Sequence, residues 1–399
     1  MANDRAVGTH DADVVILGAG PAGLVLGNLL HGAGIDCVVL ERASREHVEA
    51  RARAGFLAED AVRVLDRHGL SGGLRSRGLQ HSLCEFRSED GRFALDYAAL
   101  GRGERHTVYP QQQLVSDLLS NLLAAGGRVC FETEATAVAD VDTSRPTVAV
   151  HESDGRPVRW RARYVAGCDG RYGAARRSLP AGAVRHHRAD HGVSWLGLLA
   201  EAPPSLPAVA YAVHRRGFAG HMARTEQITR YYVQCERGSD ADSWSEDRIW
   251  DELALRMRAA DYGALNSGRI VARAVVDLES DVVEPLRHGS LFLVGDAASL
   301  LSPSAAKGAN LAILEAEILA EALAADILRD DAKALDGYSD RCLPTIWRAQ
   351  EFSQWMVRLL HSTTGPDREF HDALRRSRLE SLRTSSTYQH WFAENYVGI

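Results

Sequence analysis

Lysine is almost absent from this chain: Lys307 and Lys333 are the only two among 399 residues, and arginine carries the rest of the fixed positive charge. A lysine at a position of chemical interest therefore stands out. Excess positive charge is missing too. The net charge of −7 gives no electrostatic reason to expect nucleic acid or an anionic membrane as partner. No stretch supplies the ~18 consecutive apolar residues that a membrane helix needs. The most apolar region, Leu311 to Leu328, is interrupted by Glu315, Glu317, Glu321 and Asp326. The stretch Met1 to Ala12 is polar and lacks the apolar centre of an export signal. Cys37, Cys84, Cys130, Cys168, Cys235 and Cys342 show neither C-x-x-C pairing nor zinc spacing. They read as reduced, packed thiols in a cytoplasmic protein without a metal site. His186, His187 and His191 stand among Arg185, Arg188 and Asp190 and read as a solvated loop rather than a ligand set.

What is present is a dinucleotide fingerprint. Val14-Val15-Ile16-Leu17 runs into Gly18-Ala19-Gly20-Pro21-Ala22-Gly23, followed by an apolar helix and by Cys37-Val38-Val39-Leu40-Glu41. Gly18 permits a tight turn, Gly20 admits a pyrophosphate close to the backbone, and Gly23 lets helix and strand pack. The helix N-terminus favours the phosphates, and Glu41 is placed to accept from a ribose.

Further along, Leu83 to Tyr97 reads as a hairpin turning at Asp90-Gly91, and Gln111 to Ala125 as an amphipathic helix. Runs near 195–199, 208–212 and 229–234 read as strands of a separate sheet. Leu291 to Val294 returns to a buried parallel strand before a helical remainder. The expected class is α/β: a Rossmann-like dinucleotide-binding domain over 1–183, an inserted β-sheet domain over 184–286, a return over 287–310 and a helical C-terminal region over 311–399.

Two more motifs follow in order, Asp169-Gly170-x-x-Gly173-x-x-Arg176 after one strand and Gly295-Asp296 closing another. With this ordered set the chain resembles the single-component FAD-dependent aromatic hydroxylases, most closely their 4-hydroxybenzoate-hydroxylating branch. The resemblance runs from Val14 to the terminal Ala393-Glu394-Asn395-Tyr396-Val397-Gly398. It implies FAD as cofactor, NADPH or NADH as reductant, O2 as co-substrate, a small aromatic acid as substrate and a homodimer. The implied reaction is hydroxylation of a 4-hydroxybenzoate-type acid ortho to its phenol, through a flavin hydroperoxide.

The resemblance also implies roles for single residues. Gly18, Gly20, Ala22, Gly23, Glu41, Arg51, Arg53, Gln111, Asp169, Asp296, Lys307, Ala309 and Asn310 would hold FAD. Asn310 and the backbone at Ala309 would meet the isoalloxazine, with Lys307 adding positive charge there. Tyr211, Tyr396 and His81 would relay the phenol proton outward, since each accepts one proton as it gives another. Pro303 would line the substrate side. Arg42, Arg53 and Arg176 would meet the nicotinamide cofactor.

At the acid end of the substrate, Arg224 and Tyr232 match the family pattern, whereas Met222 stands where it has a serine. Tyr172 and Glu279 stand where these hydroxylases often carry histidine and arginine, which makes NADH an option beside NADPH. Met222 leaves open a substituted, amino-bearing substrate with altered regiochemistry. The reading from a different class is a flavin-binding protein without turnover.

Overall fold

Four apolar residues in succession, Val14–Leu17, form β1, each at most 1% exposed, as suits a parallel strand covered on both faces. The computed structural model describes residues 8–51, 55–259, 263–362 and 366–398; the expected FAD contact Arg53 lies outside them. Helix α1 (Pro21–Gly32) starts on a proline whose missing N–H would be unpaired there in any case, and β2 (Cys37–Leu40) follows. Next come the hairpin β3 (Leu83–Ser88) and β4 (Gly91–Asp96), then α2 (Gln111–Ala124), β5 (Arg128–Cys130) and β6 (Tyr164–Gly167). The inserted strands are β7 (Arg185–Glu201), β8 (Val209–Val213), β9 (Ala219–Ala223), β10 (Ile228–Cys235) and β11 (Arg269–Glu284). The chain returns through β12 (Arg287–His288), β13 (Leu291–Leu293) and β14 (Ser299–Leu300). It closes with α3 (Gly308–Arg329), α4 (Tyr338–Leu360), α5 (Arg368–Thr384) and α6 (Ser386–Val397).

The nucleotide-type sheet has the order β12-β13-β6-β1-β2-β5, parallel except at the β12–β13 edge. The second sheet runs β14-β11-β7-β10-β9-β8-β3-β4. Side chains along β10 alternate: Thr229, Tyr231, Val233 and Cys235 are buried on one face, while Arg230, Tyr232 and Gln234 occupy the other, as period-two geometry requires. Register then sets Tyr211 beside Gly220, Gly220 beside Tyr232, and Met222 beside Arg230. A Cβ at Gly220 would stand 2.8 Å from the Phe218 ring and 3.3 Å from the Tyr232 ring, so only glycine lets these rings close over the strand.

Two sequence expectations need correction. The substrate sheet is not confined to 184–286, because β3 and β4 extend it: β8 pairs in parallel with β3, from Val209 opposite Cys84 to Val213 opposite Ser88. A hairpin's own pattern shows two strands but not the sheet edge that receives them. His186 and His187 lie not in a loop but in β7, opposite Val283 and Val282 of β11. Exposed charged side chains suggested a loop, yet ladder pairing uses the backbone and tolerates them.

Candidate active site

At the nucleotide end, Gly18 has φ +98, and a Cβ on it would lie 2.6 Å from the Cys168 carbonyl oxygen. A Cβ on Gly23 would fall 2.0 Å from the Gly18 carbonyl, so this glycine serves packing. Gly20 differs. A Cβ there would meet nothing within 4 Å, and Gly20 caps α1 with no side-chain hydrogen bond to its free N–H groups. Open space in front of uncapped N–H groups is the form an anion site takes. Glu41 is fixed beside it, its oxygens accepting from the N–H of Ala19 and of Ala43 at 2.8 Å each. Ala22 is buried.

Farther in, Asp169 accepts from the N–H of Ala175 through Oδ2 at 3.1 Å. Its Oδ1 is buried with no partner among the described residues, and burial pushes its carboxyl above the usual range. Asp296 sits half-buried in the turn Gly295–Ala297 after β13, next to the fingerprint turn: a Cβ on Gly295 would lie 3.4 Å from that of Ala22. Beneath it the sequence reading missed Glu315. This residue of α3 is 2% exposed, accepts from the N–H of Gly295 at 2.6 Å, and burial lifts its carboxyl to about 8.

Helix α3 begins at Gly308 with no side-chain cap, so the N–H groups of Gly308, half-buried Ala309 and Asn310 remain for an electronegative partner. The two side chains expected at a flavin there point elsewhere. Asn310 is fully buried and holds the 56–58 segment, accepting from the N–H of Ala58 at 2.8 Å and donating to the carbonyls of Phe56 and Ala306. Lys307, 1% exposed, sends Nζ to the carbonyls of Tyr396, at 2.8 Å, and of Gly398. Desolvation brings its ammonium down to about 7. Only their backbones face the open end, because each side chain finds unpaired carbonyls inside.

At the second sheet the hydroxyls of Tyr211 and Tyr396 meet at 2.7 Å, joining β8 to the end of α6. Both are buried, and desolvation drives both phenols well above 10. Neither rests as an anion; each can accept one proton while giving another. Among the described residues no direct hydrogen bond joins His81 to this pair. Its Nε2 accepts from the N–H of Val209 at 3.0 Å, and its Nδ1 lies 3.0 Å from the hydroxyl of Tyr97. The backbone donor fixes the proton on Nδ1, Tyr97 in turn donates to the His81 carbonyl at 2.5 Å, and burial lowers the imidazole to about 4. Tyr97 and His106, neither singled out by sequence, pack against the Tyr396 ring at centroid distances of 5.1 Å each. His106 was findable as a histidine in an apolar strand; nothing in sequence marked Tyr97.

Tyr211, Tyr396, Met222, Tyr232 and Ala305 belong to one apolar cluster, the kind of lining that a water-poor chamber needs. At its polar end Arg224 is 5% exposed and donates to Oε1 of Gln112. Desolvation and then Arg230 lower its guanidinium to about 10. Arg230 lies over the Tyr232 ring at 5.3 Å, and its Nε and Nη1 are buried without partners among the described residues. Pro303 is exposed at the start of a 3-10 turn whose Ser302 accepts from the N–H of Ser304. Gln111, half-buried, opens α2.

The expected nicotinamide contacts are scattered. Arg42 is exposed, as is Arg51, which was expected at FAD. Arg176 is instead buried, donating through Nε to the Ala297 carbonyl at 2.7 Å and through Nη1 to Asp281 at 2.8 Å. It ties β11 to the turn after β13, because Asp281, invisible as a partner in sequence, is fully buried opposite it. Glu279 is bridged by Arg171 and by Arg237, the latter at 2.9 Å.

Taken together these residues fit FAD. An open glycine stands at one helix start, a second helix start is uncapped, and Asp169 and Arg230 keep buried polar atoms without partners among the described residues.

Comparisons with known proteins give the family. A family described as an FAD binding domain matches residues 11–353. A p-hydroxybenzoate hydroxylase of Acinetobacter baylyi is 36% identical over 391 residues, covering 98% of this chain and 96% of that protein. A 3-amino-4-hydroxybenzoate 2-monooxygenase of Streptomyces platensis is 29% identical, covering 92% and 93%. In fold, a p-nitrophenol 4-monooxygenase from Pseudomonas putida aligns with a TM-score of 0.80 at 20% identity, over 98% of this chain and 99% of that one.

Proposed function

This chain belongs to the FAD-dependent aromatic hydroxylases, and from that premise we propose that it hydroxylates a 4-hydroxybenzoate-type acid ortho to the phenol, with NAD(P)H and O2. The observation that carries the reading is the buried Tyr211–Tyr396 hydroxyl pair, on the sheet that also brings Arg224 to the chamber. Bound FAD, once reduced, supplies the activation of O2. The protein's residues do the rest. Arg224 offers a forked, desolvated cation to the carboxylate. Tyr211 accepts a hydrogen bond from the phenol while donating its own to Tyr396, which polarises the phenol O–H and enriches the ring in electrons where oxygen is added. The apolar wall of Met222, Tyr232 and Ala305 keeps water away from the reacting atoms.

A second reading keeps the chemistry and changes the ring to an amino-bearing 4-hydroxybenzoate. It is favoured by Met222 and by the Streptomyces relative's named substrate. Ion pairing of Glu279 with Arg171 and Arg237 leaves less cationic charge for a 2′-phosphate, which favours NADH. Among the described residues no helix is long and apolar enough to cross a membrane. The six cysteines are free, which supports a reducing cytoplasm. A homodimer belongs to the same proposal.

The test is oxidation of NADH and of NADPH by the FAD-loaded protein with and without 4-hydroxybenzoate, with products identified by mass spectrometry. Stimulation with 3,4-dihydroxybenzoate formed supports the first reading. Stimulation without that product, and turnover of 3-amino-4-hydroxybenzoate, supports the second. No stimulation by any phenolic acid would sink both.

A further inference from the structure

Met222 offers no hydrogen-bond donor at the polar end of the chamber, and half of it packs among apolar rings. A carboxylate bound there has two oxygens with several lone pairs to satisfy, and with Met222 in place the sheet offers it only the Arg224 guanidinium and the Tyr232 hydroxyl. The structure supplies a further group from the other domain. Gln112, on the first turn of α2, accepts from Arg224 through Oε1. The orientation follows from chemistry: a guanidinium only donates, so the amide oxygen must face it. The amide is planar, so its NH2 is held beside the guanidinium, and Nε2 has no partner among the described residues.

We propose that Gln112 is a specificity-determining residue for the acid end of the substrate, its Nε2 donating to the carboxylate that Arg224 binds. The inference rests on the aromatic-acid reading above and deepens it. Gln112 takes the donor role that Met222 cannot fill, and it does so from α2, so acid recognition spans the nucleotide-binding part and the substrate sheet. The contact with Arg224 has a second effect. It holds the guanidinium at the chamber through a neutral amide.

The experiment compares the FAD-loaded wild type with Gln112→Glu and Gln112→Ala, titrated calorimetrically with 4-hydroxybenzoate and with uncharged 4-hydroxybenzamide. Gln112→Glu conserves shape and places a carboxylate on Arg224. Its Kd for the acid should rise by about tenfold or more, while its Kd for the amide stays within about twofold. Gln112→Ala should raise KM for the acid by about three- to tenfold with kcat little changed, the mark of lost ground-state binding. Retained FAD and an unchanged melting temperature exclude misfolding as the cause. If the wild type binds the acid and both variants bind it equally well, the inference falls and the functional reading stands. If the wild type binds no aromatic acid, both fall.

Discussion

Nζ of Lys307 lies 2.8 Å from the carbonyl oxygen of Tyr396 and also donates to that of Gly398, so a residue at the start of α3 closes the end of α6. A donor at a helix C-terminus satisfies carbonyls that have no partner in the helix. It also fixes the tyrosine whose hydroxyl meets Tyr211. Burial holds the amine near 7 in the folded chain, against 10.5 for a solvated lysine. The unfolded chain therefore binds more protons between about pH 7 and 10.5, and this residue's contribution to stability rises with pH across that window. Lys307→Met should abolish the rise and, at pH 9, lose about 1–3 kcal/mol through unpaired carbonyls. Denaturant unfolding at several pH values reads this directly; an equal slope in both proteins would contradict it.

Glu315 gives the opposite sign. Its carboxyl is raised from 4.5 to about 8 by burial, so the folded chain holds a proton that the unfolded chain releases. Its contribution is fully present below about pH 4.5 and lost as pH rises through 8. Glu315→Gln keeps an acceptor for the Gly295 N–H and removes the titration. The variant should melt higher than wild type at pH 8.5 and close to it at pH 5. A constant difference across that range would show that this carboxyl is not the titrating group.

Gly20 and Gly23 should separate cofactor binding from folding. Gly20→Ala adds a Cβ that meets nothing within 4 Å, so the cofactor-free protein should keep its stability while FAD affinity falls about tenfold or more. Gly23→Ala drives a Cβ to 2.0 Å from the Gly18 carbonyl and should lower expression and melting temperature even without FAD. Equal FAD content in wild type and Gly20→Ala would remove the pyrophosphate from this turn.

Tyr396→Phe breaks the hydroxyl pair without changing the packing volume much. Hydroxylation should slow by about 100-fold or more, in the range general acid–base groups supply, with substrate Kd changed little. Undiminished kcat would exclude the pair from proton transfer. His81→Gln, by contrast, should disturb the contacts to Val209 and Tyr97 before it disturbs turnover, because both imidazole nitrogens are already engaged.

Glu279→Gln releases Arg171 and Arg237 from a carboxylate. KM for NADPH should fall relative to KM for NADH, and the ratio of the two from initial rates is the measurement. An unchanged ratio would place the 2′-phosphate elsewhere.

Adjacent residues wrote the local elements legibly. The apolar run Val14–Leu17, the glycines after it, the 83–96 hairpin and the helix from Gln111 rest on patterns within a few residues, and such patterns fix strand, turn and helix by sterics and burial. The sequence alone therefore determined a dinucleotide-binding α/β chain, and the ordered motifs pointed to its family. Which buried groups meet was decided by the tertiary structure. Tyr211 and Tyr396 are 185 residues apart, and Arg224 and Gln112 are 112 apart. The family resemblance implied Lys307 and Asn310 at the flavin, His81 as a relay terminus and Arg176 as a nicotinamide contact. Folding gives each of these side chains an internal partner that no local pattern announces, because a buried donor or acceptor must be satisfied by whatever strand register and helix packing bring within reach.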